Sequence, residues 1–191
     1  MEYIDFQARR QRFVDGLTIR VVVCISFIAV FAATAAIYPA QANDFIAPIT
    51  VLAVLPFVNY PFWKLGEARG FPLEHFYGHW VVDLFMVTLL LHTLGGIDLP
   101  LGSGGYMIMI ITSAVLLSQR AALLVATGSL LCFDGLVISE EFGILPHRVH
   151  IWSHHYSAAA KVIIVIASNV FFYLFAHLAG SLAEQLKKTN A

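Results

Sequence analysis

Apolar residues gather into six runs, separated by short breaks that carry charge, glycine or proline. The runs cover about 17–38, 45–63, 73–94, 104–117, 121–138 and 157–182. Most approach the roughly 20 residues that a helix needs to cross a hydrocarbon core of ~30 Å. They are continuous and do not alternate, which fits helices and not barrel strands. The pattern predicts an all-α fold, a polytopic membrane bundle of six transmembrane helices. Pro39 stops the first run, and Pro48, Pro56 and Pro61 are expected to kink the second. Gly95-Gly96 ends the third.

Composition strengthens this picture. Of 191 residues, 59% are hydrophobic and 12% charged, against about a quarter charged in soluble domains. Mean hydropathy is +0.79. A net charge of -1 leaves no basic footprint for nucleic acid. The N-terminus has the basic start and apolar run of a signal peptide. The run is long enough to span, however, and more spans follow, so it reads as a retained first helix. Cys24 and Cys132 lie inside apolar runs and read as packed thiols.

The basic residues give an orientation. Arg9, Arg10 and Arg12 precede the first run with Arg20 in its first turn, Lys64 and Arg69 follow the second, Arg120 separates the fourth and fifth, and Lys187 and Lys188 follow the sixth. All these ends fall on one side, expected to be the cytoplasm, which puts both termini there. The opposite side holds Arg148, with Lys161 just inside the sixth run. The chain thus divides into a cytoplasmic segment 1–16, a six-helix domain 17–182 and a polar, helix-prone stretch 183–191. That last stretch reads as the start of a linker to an output domain. The expected location is the inner membrane of a bacterium, multi-pass in the lipid bilayer.

Eight histidines then stand out. An inner group holds His75, His79 and His177. His75 and His79 are spaced i, i+4 and Asp83 continues their face, where a carboxylate could orient an imidazole ring. Two readings stay open here. The histidines reach the cytoplasmic interface, or His79 and His177, with His75 nearby, hold a b-type haem as a cofactor. An outer group holds His92 and a last outer loop with His147, His150, His154 and His155. The i, i+3, i+7 spacing of His147, His150 and His154 suits zinc or copper if 146–156 is helical. Asp98, Glu140 and Glu141 could complete that site. An amphipathic interfacial helix anchored by Trp152 and Tyr156 is the alternative.

Asp83, Asp134 and Lys161 lie within spans, where a charge is costly and needs a partner. Asp134 and Lys161 are expected to pair between the fifth and sixth helices. No phosphate-binding loop, dinucleotide fingerprint or nucleophile signature is recognisable, so no catalytic centre is expected within the chain. Gly102-Ser103-Gly104-Gly105 reads as a turn.

The stretch from Val82-Asp83-Leu84-Phe85 through His92-Thr93-Leu94-Gly95-Gly96 resembles the third span of six-helix sensor histidine kinases. Both the branch that regulates type IV pilus genes and the redox-responsive global regulators share it. The apolar helix ending in Ser118-Gln119-Arg120 is similar to the pilus branch. The redox branch carries Gly-Gly-x-x-Asn-Pro-Phe and is associated with ubiquinone. Here the stretch reads Gly95-Gly96-Ile97-Asp98-Leu99-Pro100-Leu101, keeping the glycines and proline but not the Asn and Phe. The resemblance implies a dimeric sensory input domain that passes a ligand, redox or partner signal, from a membrane or periplasmic partner, through its sixth helix. His92, Gly95, Gly96, Asp98 and Pro100 are then the expected outer sensing residues, with quinone a candidate ligand. The rival functions are a haem- or metal-binding redox protein and a small transporter. A kinase or diguanylate cyclase output would lie outside this chain.

Overall fold

The computed structural model describes residues 2–99, 102–146 and 156–189. Among the described residues it contains six α-helices and no strand. They are α1 (Glu2–Ile37), α2 (Ile46–Arg69), α3 (Leu73–Thr93), α4 (Gly104–Leu116), α5 (Gln119–Glu141) and α6 (Ala158–Thr189). Two short 3-10 turns, Pro39–Phe45 and Gly96–Asp98, join them. The chain divides into two compact units, Met1–Met86 and Val87–Ala191.

In the first unit, α1 starts at Glu2 rather than near Leu17. Residues 2–15 hold no glycine or proline, so nothing breaks a helix there. Polar contacts such as Gln11 Nε2 to Asp15 Oδ1, 2.8 Å, line its exposed side. Its 36 residues span about 54 Å, more than a bilayer core requires. The earlier start also moves Arg20 from a flanking position to the helix interior. The α2 helix runs unbroken through Pro56 and Pro61. It ends on Gly70, whose φ of 76° permits the left-handed cap. Phe71 follows with φ 51°, held by its N–H donating to the Gly66 carbonyl at 3.0 Å. Its ring is fully buried. A Cβ at position 66 would overlap that ring, so glycine is required there.

Around this turn an aromatic core forms. Phe13 of α1 lies 5.2 Å from Phe71, 5.1 Å from His75, 5.6 Å from Phe76 and 5.5 Å from His79, between ring centroids. Aromatic contacts of this kind tie the three helices together.

The second unit packs α4, α5 and α6 around an aromatic triad, Tyr106, Phe133 and Phe172, with centroids 5.6–6.1 Å apart. Small residues fill the rest of the interface. Ser113, Ala114, Ala121, Ala122, Ala126, Ser129 and Ala176 are all fully buried, which lets backbones approach closely, as in membrane helix pairs. Ser118 caps α5, its hydroxyl accepting from Ala121 N–H at 3.2 Å.

Among the described residues, four helical segments are long and apolar enough to cross a membrane: Phe6–Ile37, Pro39–Arg69, Gln119–Glu141 and Ala158–Leu186. Large apolar side chains such as Phe57, Phe85, Leu131 and Ile163 point outward along the helices, a surface that suits lipid and not water. The α3 helix falls short on hydropathy because Glu74, His75, His79 and Asp83 interrupt its apolar run. The α4 helix has 13 residues, about 20 Å.

Candidate functional site

The polar side chains of the apolar helices are organised in three places. The first lies within the first unit. Arg20 Nη2 of α1 is 2.5 Å from Asp83 Oδ2 of α3. One turn back, His79 Nδ1 is 3.4 Å from the same oxygen. The His79 Nε2 donates to Asn59 Oδ1 of α2 at 2.9 Å. One polar chain, Arg20–Asp83–His79–Asn59, therefore joins α1, α3 and α2. His79 is 2% exposed and Asp83 6%, so these groups are buried rather than turned to an interface. The expectation that Asp83 faces His79 holds. Its ion-pair partner, Arg20, was read from sequence as a flanking charge. Asn59 was missed, although an amide between Pro56 and Pro61 in an apolar run was a visible signal. His75 sits among Phe13, Phe62 and Phe71, and its Nε2 has no hydrogen-bond partner among the described residues.

The second place is the seam between α5 and α6, which carries four polar rungs. Lys161 Nζ donates to Glu141 Oε2 at 2.9 Å. Asn169 Nδ2 donates to both oxygens of Asp134, at 3.2 and 3.0 Å. Tyr173 Oη meets Thr127 Oγ1 at 3.0 Å. Gln119 Nε2 donates to His177 Nδ1 at 3.0 Å. On α5 the rungs recur every seven or eight residues, which keeps them on nearly one face. Ascending α5 meets descending α6, so the two helices run antiparallel. This register corrects the expected Asp134–Lys161 pair. Lys161 stands opposite Glu141, near the end of α5, and Asp134 stands about two turns further along, opposite Asn169. Asn169 and Gln119 are the partners that sequence reasoning missed.

The third place is the end of the second unit formed by the α3–α4 connection. Gly95 and Gly96 adopt φ of 114° and 61°, conformations that favour glycine. His92 Nδ1 donates to Glu140 Oε1 at 2.7 Å. The Glu140 carboxyl lies directly over Gly96, where any Cβ would collide with it. Asp98 is 1% exposed. Beside them is a cleft of about 100 Å³ lined by Gly96, Ile97, Ser103, Phe133, Tyr156 and Ile164, among others. Sites for drug-sized ligands start near 300 Å³, so this volume suits a small molecule.

Of the residues singled out from sequence, His92, Gly95, Gly96 and Asp98 thus come together, with Glu140 added. Pro100, His147, His150 and His154 lie outside the described residues. Among the described residues no three His, Cys, Asp or Glu side chains converge as a metal cluster. His79 and His177 belong to different units, and each ring has its own side-chain partner, Asn59 and Gln119.

Comparison with known proteins agrees with this architecture. No curated protein and no solved structure gave a match. Residues 7–191 match the family described as PilS-like transmembrane domain. With nearly the whole chain covered, the outward apolar helix faces are lipid-facing and the fold is a six-helix, multi-pass membrane bundle. The chain belongs to the PilS-like transmembrane domain family, membrane sensor domains of signalling proteins.

Proposed function

We propose that this chain is the sensory input domain of a bacterial sensor histidine kinase, and that α6 carries its signal. The observation that carries the reading is α6 itself. It runs without a break from Ala158 to Thr189, about 48 Å at 1.5 Å per residue, and is tied to α5 by four polar rungs. A helix held at discrete polar levels has discrete alternative positions. A ligand that prefers one of them shifts the population, and the shift reaches the far end of the helix.

In this reading the basic ends of the helices face the cytoplasm of an inner membrane, and both termini lie there. Residues 1–16 are the cytoplasmic segment, in which α1 begins at Glu2, 17–182 the membrane domain, and 183–191 lead toward an output module in a homodimer. The signal enters at the opposite end. The cleft beside Gly96 and the His92–Glu140 pair form the sensing region, with Asp98 and Pro100 in the same connection.

The test is a fusion of residues 1–191 to a cytoplasmic histidine-kinase output in membranes. Autophosphorylation should change when the rungs are altered one at a time by Gln119→Leu, Tyr173→Phe or Asn169→Leu. Substitutions of lipid-facing residues such as Ile163→Leu should leave it unchanged. Equal output from every rung variant, with normal membrane insertion, sinks the proposal.

A further inference from the structure

Asp134 lies about two turns inside the C-terminal end of a membrane-crossing helix, Gln119–Glu141. Asn169 lies near the middle of another, Ala158–Leu186. Their hydrogen bonding is one-sided. The single amide nitrogen of Asn169 serves both carboxylate oxygens, while the amide oxygen, Oδ1, is buried with no hydrogen-bond partner among the described residues. An ionised carboxylate can only accept, so it cannot satisfy that oxygen. A protonated carboxyl can. Its O–H would donate to Asn169 Oδ1 while its carbonyl oxygen accepts from Nδ2, a paired acid–amide ring. Proton uptake would thus remove an orphaned acceptor and a charge from the bilayer interior together, and both are costly there.

Most of the other charged and titratable groups around this seam have partners of their own. From α6, Lys161 is held by Glu141 and Tyr173 by Thr127. From α4, Tyr106 is held by Thr88. From α3, His92 is held by Glu140. Asp98 is buried in the 3-10 turn and Cys132 lies on α5 itself. None of these side chains shares the Asp134–Asn169 bonds given by the structure.

We infer that Asp134 is an intramembrane proton-binding site, and that Asn169 is the residue that reads its protonation. Hydronium from the aqueous phase gives up the proton and is left as water, an O–H bond forms at one Asp134 oxygen, and the Asn169 amide turns so that Oδ1 accepts. The carboxyl changes from acceptor to donor, which changes how α5 is fastened to α6 within the span. In this way the site deepens the proposed signalling role, although proton binding itself does not depend on that role.

Infrared difference spectroscopy on the intact chain in lipid nanodiscs tests it. The wild type should show a protonated-carboxyl C=O band at low pH that disappears as pH rises. The Asp134→Asn variant keeps an amide pair with Asn169, so it should stay monodisperse on size exclusion and lack that band. The Asn169→Leu variant should keep the band but at higher frequency, because a hydrogen bond is lost. Acid bands unchanged by Asp134→Asn overturn the site. A band unmoved by Asn169→Leu overturns the sharing. In the kinase fusion, the pH dependence of output should be reduced at least several-fold by Asp134→Asn. An infrared result as expected with a silent fusion would reject the signalling role and leave the proton site standing.

Discussion

Arg20 of α1 and Asp83 of α3 are 2.5 Å apart, Nη2 to Oδ2, with 16% and 7% of their side chains exposed. Neither charge has solvent to fall back on. His79 and Asn59 extend the pair to α2, so the chief polar tie of the first unit depends on it.

Removing one member of a buried pair strands the other, at a cost of about 3–5 kcal/mol. Arg20→Met and Asp83→Leu should therefore each lower stability by about that amount in detergent-titrated unfolding. The double variant should recover most of the loss, because apolar replacements of both partners are close to neutral. Two single variants that each lose less than about 1 kcal/mol would show that the pair is weakly formed.

The Gly66–Phe71 contact makes a second prediction. Gly66→Ala places a methyl group into the Phe71 ring and should cost about 1–3 kcal/mol, the range for overpacking. Gly78→Ala is a control, since the nearest atom to its Cβ is a Phe62 side-chain carbon at 3.8 Å. It should be neutral or slightly stabilising, as alanine is the better helix former. Thermal unfolding of the two variants in the same micelle distinguishes them.

At the α3–α4 connection, Gly96→Ala meets both a φ of 61° and the Glu140 carboxyl. The left-handed backbone alone costs about 1–2 kcal/mol for a residue with a Cβ. Glu140→Ala should relieve the collision but not the backbone strain. A double-mutant cycle should therefore give a coupling of about 1 kcal/mol or more. A coupling near zero would mean that Glu140 does not rest on Gly96.

Gly180 and Gln119 make the innermost rung testable. A Cβ at 180 would lie 2.9 Å from the Gln119 Cα, so α6 passes α5 there at backbone distance. Gly180→Leu should push the helices apart, break the Gln119–His177 bond and raise His177 reactivity toward an acylating reagent. Gln119→Leu should raise that reactivity too, without the loss of packing. If His177 reacts equally in all three proteins, the rung does not form.

Much of this fold could be read from the chain because membrane helices announce themselves by continuous apolar runs. The α3, α4 and α5 helices start and stop within about three residues of the runs, whereas α2 and α6 start with them and run on about six or seven residues beyond. The α1 helix departs furthest, because its amphipathic first half has no apolar run to mark it. The partner choices were harder. Asp83 and Asp134 were visible as charges in spans, but sequence does not give the rotation or register of one helix against another. So Arg20 read as a flank, and Lys161 was matched with Asp134 instead of Glu141. The glycine pair at 95–96 was legible as a turn. That Glu140 rests on it was not, since contact between residues 44 positions apart leaves no local trace.

The central claim is that α6 transmits the signal as a continuous helix. Alanine insertions between Gln185 and Leu186 in the kinase fusion test it most directly. One residue turns everything beyond it by about 100°, and seven return it to within about 20° of the original face. The account predicts that autophosphorylation is altered by one or two inserted residues and restored by seven. Output that is the same for every insertion length would contradict it.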